Sequence, residues 1–142
     1  MLSTVHMMTG AAVGVATENW WATTIGCVVL HFLWDMLPHW DPSYKTWKKR
    51  DWHIAAAVDL LMGLGLILYV TGGYLNIYIV VGVMMSILPD LLTLAYKLLK
   101  IKLLEPLVQW HDKIQNRASG WWGLFFQVVV VVIMTVIIRL KS

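Results

Sequence analysis

Long apolar blocks decide which folds are open to this chain. We read five of them, at about Leu2 to Thr17, Trp20 to Leu37, Ile54 to Thr71, Tyr74 to Tyr96 and Trp121 to Ile138. A helix that crosses a bilayer needs roughly 17–25 apolar residues, and the short first block only just reaches that length. Lipid offers no partner to a backbone amide, so every block is predicted to be helical. The sequence therefore predicts an all-α, polytopic membrane bundle of about five helices.

The composition favours a membrane protein over a soluble domain. Of the 142 residues, 59% are hydrophobic and 13% are charged, whereas soluble domains carry about 25% charged residues. Many of the nine tryptophans lie at block edges, where an amphipathic indole suits the membrane–water interface. The single cysteine, Cys27, excludes an intrachain disulfide and a cysteine-based metal motif. In such a protein the net charge of +3 reports topology, so we expect membrane lipids as partners and no nucleic acid.

The basic residues predict the orientation of the chain. Two polar stretches, Trp40 to Trp52 and Lys97 to Ser119, hold nine of the eleven Lys and Arg residues. The positive-inside rule places both stretches and the N-terminus on the cytoplasmic side of the inner membrane. Five crossings would leave the basic tail at Arg139 and Lys141 outside. That conflict leaves open whether the first and fifth blocks cross completely.

The segment 98–118 mixes apolar and basic residues around Pro106. This pattern predicts a segment that lies on the membrane surface and is helical on at least one side of the proline. The alternative is an ordinary cytosolic loop.

The chain divides into one transmembrane domain with an internal repeat. Hairpin repeat 1 covers residues 1–41, hairpin repeat 2 covers 53–97, the interfacial segment covers 98–118 and a C-terminal helix covers 119–140. Repeat 1 begins with His6 and ends with Leu37-Pro38-His39, while repeat 2 begins with Asp59 and ends with Leu88-Pro89-Asp90. Small residues on the facing helices would let the backbones approach closely; these are Gly10, Gly14, Gly63, Gly65 and Gly82. Chance similarity is the alternative to a repeat.

The strongest local pattern is His31-x-x-x-Asp35-x-x-x-His39, followed by Asp41. A spacing of four places side chains on one helical face, although Pro38 can turn His39 away from it. His31 and Asp35 lie inside an apolar block, where ionisable groups cost several kcal/mol unless they are paired or functional. The alternative reading is a hydrogen-bonded pair that only fixes helix packing.

His31 and Asp35 share their predicted depth in the membrane with other ionisable residues. The ionisable side chains near the predicted cytoplasmic helix ends come from four helices, and they are His6, His31, Asp35, His39, Asp59 and Asp90. Imidazole and carboxylate without thiolate suit Zn²⁺, Mn²⁺ or Fe²⁺. We therefore predict that these six residues are the ligand pool for one divalent metal ion or a pair.

Two kinds of catalytic group are predicted beside the metal. Asp35 or Asp90, when it is not a ligand, is expected to act as the general base for a water whose pKa the metal lowers. His111 in the surface segment is expected to fold over the site as a further ligand or acid–base group. The alternative is that His111 and Asp112 form a solvated pair.

Three motifs together resemble a known family. They are His6-x-x-x-Gly10, the run from His31 to Asp41, and Leu88-Pro89-Asp90. Across roughly residues 6 to 90 they are similar to the bacterial inner-membrane proteins known as membrane-bound metal-dependent hydrolases. The resemblance implies a metal site at the membrane surface and hydrolysis of a lipid or phosphoester. This chain has Pro38-His39 where the family tends to have Pro-Asp, and it lacks the family's His-Arg…Thr-His-Ser segment.

Two other functions stay open at this stage, as does a homo-oligomer. A metal-ion binding or transport protein would need polar groups that continue to the outer leaflet. Blocks three and four instead turn apolar beyond Asp59 and Asp90. A structural protein would use the polar cluster only to order its helices, and it would be metal-free.

Overall fold

The computed structural model describes residues 1–42, 48–118 and 120–141. In this part of the chain it has six α-helices, one 3-10 turn and no strand, which confirms the predicted all-α class. The elements are α1 (Ser3–Thr17), α2 (Trp20–Met36), α3 (Lys49–Val70), α4 (Ile77–Leu99), the turn Lys102–Leu104, α5 (Glu105–Ile114) and α6 (Trp121–Lys141). Each apolar block contains one helix, and the predicted surface segment contributes the sixth. Lys45 and Trp47, which precede α3 in the sequence, lie outside the described residues.

Three helices in the described ranges are long and apolar enough to cross a membrane, namely Arg50–Val70, Ile77–Leu99 and Trp121–Lys141. This finding supports a multi-pass membrane protein. With 15 and 17 residues, α1 and α2 are about 22 and 26 Å long. Both are shorter than the roughly 30 Å hydrocarbon core. Of the five predicted membrane helices, three are therefore long enough to cross a membrane, and α1 and α2 are shorter.

The short helix α1 lies at the centre of the bundle. It packs against α2, α3, α4 and α6, and most of its side chains are buried, with Met8 and Ala11 fully so. Its alanines and glycines give α1 a narrow surface that four neighbouring helices can approach. Because other helices enclose α1, it needs no apolar face for lipid.

Glycines allow the closest of these approaches. A Cβ at Gly10 would overlap the carbonyl of Gly82 on α4, and a Cβ at Gly82 would overlap the carbonyl of Gly10. A Cβ at Gly14 would meet the Tyr78 carbonyl in the same way, and one at Gly63 would press on α1. Gly65 has open space beside it, so the predicted close approach at that residue is wrong. Small residues therefore set the distance between α1 and α4.

The two predicted hairpins differ in how they pack. In the first, α1 and α2 pack against each other. In the second, Gly72 and Gly73 adopt positive φ angles of 63° and 84° at the turn, but no Cα atom of α3 lies within 8 Å of one in α4. Both helices pack on α1 instead. A gap consequently separates α3 from α4, and the two helices bound a cleft.

The predicted surface segment forms α5, with Pro106 in the first turn. One face of α5 buries Val108 and His111, while the opposite face is exposed. The residues that follow α5 bind the end of α2 through the backbone. Asn116 N–H donates to the Asp35 carbonyl at 2.9 Å, and His39 N–H donates to the Asn116 carbonyl at 3.1 Å. These bonds hold α5 against the last turn of α2.

Candidate metal centre

Asp35 lies at the centre of the polar cluster, in the last turn of α2 and fully buried. Its Oδ2 is 2.7 Å from His111 Nε2 and 3.3 Å from His31 Nε2. Its Oδ1 is 3.2 Å from His6 Nε2 and 2.7 Å from the amino group of Met1. Three imidazoles from three different helices thus meet on one carboxylate. Shared depth predicts this contact for His6 and His31, whereas His111 reaches it from the surface segment.

Neighbouring oxygens fix the proton positions of two of these rings. His31 Nδ1 is 2.7 Å from the Ser86 carbonyl, which only accepts, so Nδ1 carries the proton. His111 Nδ1 is 3.2 Å from Thr93 Oγ1, and that hydroxyl donates to the Pro89 carbonyl at 3.0 Å. Thr93 therefore accepts from His111 Nδ1–H. A neutral ring at either position therefore has its lone pair on Nε2.

These lone pairs face one another. The two Nε2 atoms of His31 and His111 lie 3.2 Å apart, beside Asp35 Oδ2. Asp35 also lies at the C-terminal end of α2, where the helix dipole adds negative partial charge. Three electron-rich atoms at this separation repel each other until a cation or an extra proton lies among them.

The spacing of the donors fits a small divalent ion. Tetrahedral Zn²⁺ with metal–nitrogen distances of 2.0–2.1 Å has ligands about 3.3 Å apart. The distances that join His31, His111 and Asp35 Oδ2 are 3.2, 3.3 and 2.7 Å. Nitrogen and oxygen donors without thiolate also suit Mn²⁺ and Fe²⁺. The residues present therefore fit the predicted divalent metal.

Asp90 on α4 provides a fourth donor on the open side. Its Oδ1 is 3.9 Å from His31 Nε2 and 4.0 Å from His111 Nε2, and its side chain is 33% exposed. One ligand atom from each of His31, Asp35, Asp90 and His111 lies within 4.8 Å of all the others. We call these four residues the metal group. Three members are buried and one faces the cleft between α3 and α4.

His6 lies beside the metal group and contacts the far side of Asp35. Its ring stacks on His31 with a centroid distance of 4.0 Å, and its Nε2–H donates to Asp35 Oδ1. Its Nδ1 is buried and has no hydrogen-bond partner among the described residues. In this geometry His6 orients the carboxylate, whereas the sequence predicted it as a ligand.

Asp59 is not brought into the metal group. Its carboxylate accepts from the backbone N–H groups of Ser3 and Thr4 at 2.5 and 3.1 Å and from Thr4 Oγ1 at 2.7 Å. A carboxylate in this position satisfies the free amides at the start of α1 and favours the positive end of the helix dipole. The predicted ligand is thus a capping residue supplied by another helix.

His39 is also separated from the metal group. Leu37 has an extended backbone with ψ of 150° at the end of α2, and Pro38 prevents the helix from continuing, so His39 leaves the face of His31 and Asp35. His39 Nδ1 donates to the Leu37 carbonyl at 2.9 Å, and its buried Nε2 lacks a partner in the described ranges. Burial, and then the Met1 ammonium group, lower the pKa of His39 below its ordinary value.

Four contributors were not predicted from the sequence. Ser86 and Thr93 orient the two imidazoles, the amino group of Met1 contacts Asp35, and Gln115 donates to Asp35 Oδ2 at 3.4 Å. Thr93 is a polar residue in an apolar block, about one turn after Pro89, and that pattern is a usable signal. Ser86 contributes its backbone carbonyl, which no side-chain pattern marks. The contact of Gln115 depends on how α5 folds back, which the sequence pattern does not show.

Comparison with protein-family models, with curated proteins and with solved structures finds no match for this chain. The resemblance to the membrane-bound metal-dependent hydrolases therefore rests on the sequence motifs alone.

Proposed function

We propose that this protein is a metal-dependent hydrolase of the inner membrane, with its site at the cytoplasmic face. One observation carries the proposal. The Nε2 lone pairs of His31 and His111 converge with Asp35 Oδ2 next to Asp90, which lines a cleft, and both rings are held in the required tautomer by Ser86 and Thr93. Such preparation of ligands by neighbouring groups is typical of metal sites.

The number of tight donors favours a catalytic site over a structural one. Structural zinc sites usually have four protein ligands, whereas catalytic sites have three and leave one position for water or substrate. Here His31, His111 and Asp35 form a buried set of three, and the Asp90 carboxylate lies further out at 3.9 and 4.0 Å. When bound, a divalent ion supplies Lewis acidity and lowers the pKa of water.

The chain's own residues have separable roles in this proposal. His31, His111 and Asp35 hold the ion, and His6 orients Asp35. Asp90 is partly exposed and faces the cleft, so it is the carboxylate that can take a proton from water as general base. The reaction adds one water across an ester bond: the water oxygen bonds to phosphorus or to an acyl carbon, and the ester oxygen leaves with a proton.

The location of the site supports a substrate at the membrane surface. Asp35 is in the last turn of α2, and His111 is on the amphipathic helix α5. The basic loops that flank these elements favour the cytoplasmic side, together with the N-terminus. A lipid or a phosphoester at that surface is within reach of the cleft.

Elemental analysis of the purified protein tests the metal, and an ester-hydrolysis assay tests the activity. We expect about one Zn, Mn or Fe per chain, and loss of that metal in Asp35→Ala and His111→Ala. His53→Ala is the matched control because His53 is an exposed histidine on α3. Metal content that is the same in all three variants would contradict the proposal.

A further inference from the structure

Gln115 follows directly after α5 and lies between the metal group and the cleft. Its side-chain amide reaches Asp35 and His111, and the same residue lines the cleft of about 170 Å³ that α3 and α4 border. Asp90 is the member of the metal group that also lines this cleft. A molecule that approaches the metal group through the cleft therefore meets both Asp90 and Gln115.

A contact with Arg117 fixes the direction in which the Gln115 amide points. Arg117 Nη2 donates to Gln115 Oε1, and a guanidinium group only donates. The amide oxygen therefore faces Arg117, and the amide nitrogen faces the metal group. Asp41 and Asp112 hold Arg117 in turn, at 3.4 and 3.5 Å. A chain of charged contacts consequently sets the orientation of this amide.

The amide nitrogen lies beside two electron-rich atoms of the metal group. Gln115 Nε2 is 3.4 Å from Asp35 Oδ2 and 3.3 Å from His111 Nε2. An amide nitrogen carries two hydrogens and only donates, so each of these atoms accepts one N–H. Both distances are longer than the usual limit of about 3.2 Å for such bonds, and the two bonds are weak.

A cation in the metal group would take these acceptors away from Gln115. Neutral His111 has one lone pair on Nε2, and a lone pair that binds an ion no longer accepts a hydrogen bond. Arg117 holds the amide oxygen, so the amide keeps its orientation. An N–H that loses its acceptor in a half-buried position costs free energy. The amide therefore needs a new acceptor beside the ion, and the cleft provides the entrance for one.

We propose that Gln115 positions the substrate of the metal group, by donating its amide N–H to the oxygen atom that enters from the cleft beside His111 and Asp35. The acceptor is a carbonyl, carboxylate or phosphoryl oxygen, because each has a lone pair left for the amide when it approaches a cation. That this oxygen belongs to an ester rests on the proposed function, whereas the hydrogen bond itself requires only a bound ion.

Cobalt substitution tests this hydrogen bond without an activity assay. Co²⁺ suits the same nitrogen and oxygen donors as Zn²⁺ and Fe²⁺, and its visible absorption changes when a new ligand binds. The full-length protein in detergent is loaded with Co²⁺ and titrated with acetate and, separately, with imidazole. Acetate offers an oxygen acceptor to Gln115. Imidazole binds the ion through nitrogen and accepts nothing from an amide, so it reports on the ion alone.

Gln115→Leu and Gln109→Leu form a matched pair of variants. Gln109 is an exposed residue of α5 that donates to Glu105 Oε1 at 3.2 Å. Gln115→Leu should weaken acetate binding about tenfold, as expected for the loss of one hydrogen bond to a charged acceptor, and should leave imidazole binding unchanged. Gln109→Leu should bind both probes as the wild type does. Unchanged acetate affinity in Gln115→Leu, or an equal loss of both probes, would overturn the proposal.

Arg117→Met tests the group that holds the amide oxygen. The backbone bonds of Asn116 and Ala118 to the end of α2 stay in place, but the Gln115 amide becomes free to rotate. We expect weaker acetate binding than in the wild type and unchanged imidazole binding. Lys113→Met is the control, because it removes an equal charge from an exposed position on α5. Equal acetate affinities in these two variants would contradict the orienting role of Arg117.

The same preparations separate this inference from the proposed function. Tighter acetate binding in the wild type than in Gln115→Leu, in a protein that hydrolyses no ester, supports the role of Gln115 and contradicts only the hydrolase. Ester hydrolysis by a protein in which Gln115→Leu leaves acetate binding unchanged does the reverse. Co²⁺ binding that is the same in the wild type and in His111→Ala would overturn both.

Discussion

His31 Nε2 and His111 Nε2 lie 3.2 Å apart although the two residues are on different helices and 80 positions apart in the chain. Each ring donates its Nδ1–H to an oxygen of α4. His31 donates to the Ser86 carbonyl, and His111 donates to Thr93 Oγ1. Helix α4 therefore aligns a ligand from α2 with a ligand from α5, through one backbone carbonyl and one side-chain hydroxyl. This relationship converts a set of buried polar residues into a site with a defined preference for a cation.

Metal loading should stabilise the protein measurably. A cation among His31, His111 and Asp35 removes their mutual repulsion, and an ion present at a hundred times its Kd adds about 2.7 kcal/mol to the stability of the folded state. We expect the Tm of chelator-treated protein in detergent to rise when Zn²⁺ or Mn²⁺ is added back. The Tm of His111→Ala should not respond. An equal response of both proteins would show that the ion acts elsewhere.

Thr93→Val tests the tautomer argument. Valine keeps the shape of threonine but removes the acceptor for His111 Nδ1–H, so the Nε2 lone pair is no longer fixed toward the metal. Loss of such a supporting group typically lowers metal affinity about 10- to 100-fold. Thr71→Val is the control, because Thr71 makes the same type of bond to a helix carbonyl away from the site. Titration with a competing chelator measures the difference, and equal affinities would contradict the assignment.

Gly82→Ala and Gly65→Ala should have opposite effects on stability. The new Cβ at Gly82 overlaps the Gly10 carbonyl, and relief of that overlap must separate α1 from α4 at a cost of about 1–3 kcal/mol. At Gly65 a Cβ meets nothing, and the gain in helix propensity is up to about 1 kcal/mol. Thermal unfolding in detergent compares the two. Unchanged stability in Gly82→Ala would mean that α1 and α4 lie further apart than described.

The sequence predicted the helices well because apolar length alone defines them. Shared depth also predicted that His6, His31, Asp35 and Asp90 lie close together, which the structure shows, but it wrongly added His39 and Asp59 to them. It did not distinguish a ligand from a capping residue: Asp59 and Asp90 are the two predicted ligands of the second repeat, but only Asp90 reaches the metal group. The reason is that α3 packs on α1 and α4 packs on both α1 and α2. Which helices pack together depends on close contacts at glycines, and the periodicity of apolar residues in the sequence does not show these contacts.

Asp59→Ala therefore has a result that separates capping from ligation. It removes three hydrogen-bond acceptor contacts to Ser3 and Thr4, and loss of a helix cap costs about 0.5–2 kcal/mol. The folded variant should nevertheless bind as much metal as the wild type, whereas Asp35→Ala should bind none. Both readouts come from one preparation, by thermal unfolding and elemental analysis. Loss of metal in Asp59→Ala at unchanged stability would show that Asp59 is a metal ligand, as the sequence predicted.

His39 should make stability depend on pH. Its pKa is lowered in the folded protein, while in the unfolded chain it stays near 6.5. Below about pH 6.5 the unfolded state therefore binds more protons, and stability falls as the pH falls. His39→Asn retains a donor for the Leu37 carbonyl and removes the titrating group. The decrease in Tm between pH 7.5 and 5.5 should be smaller in this variant than in the wild type; an equal decrease would assign the effect to the other buried histidines.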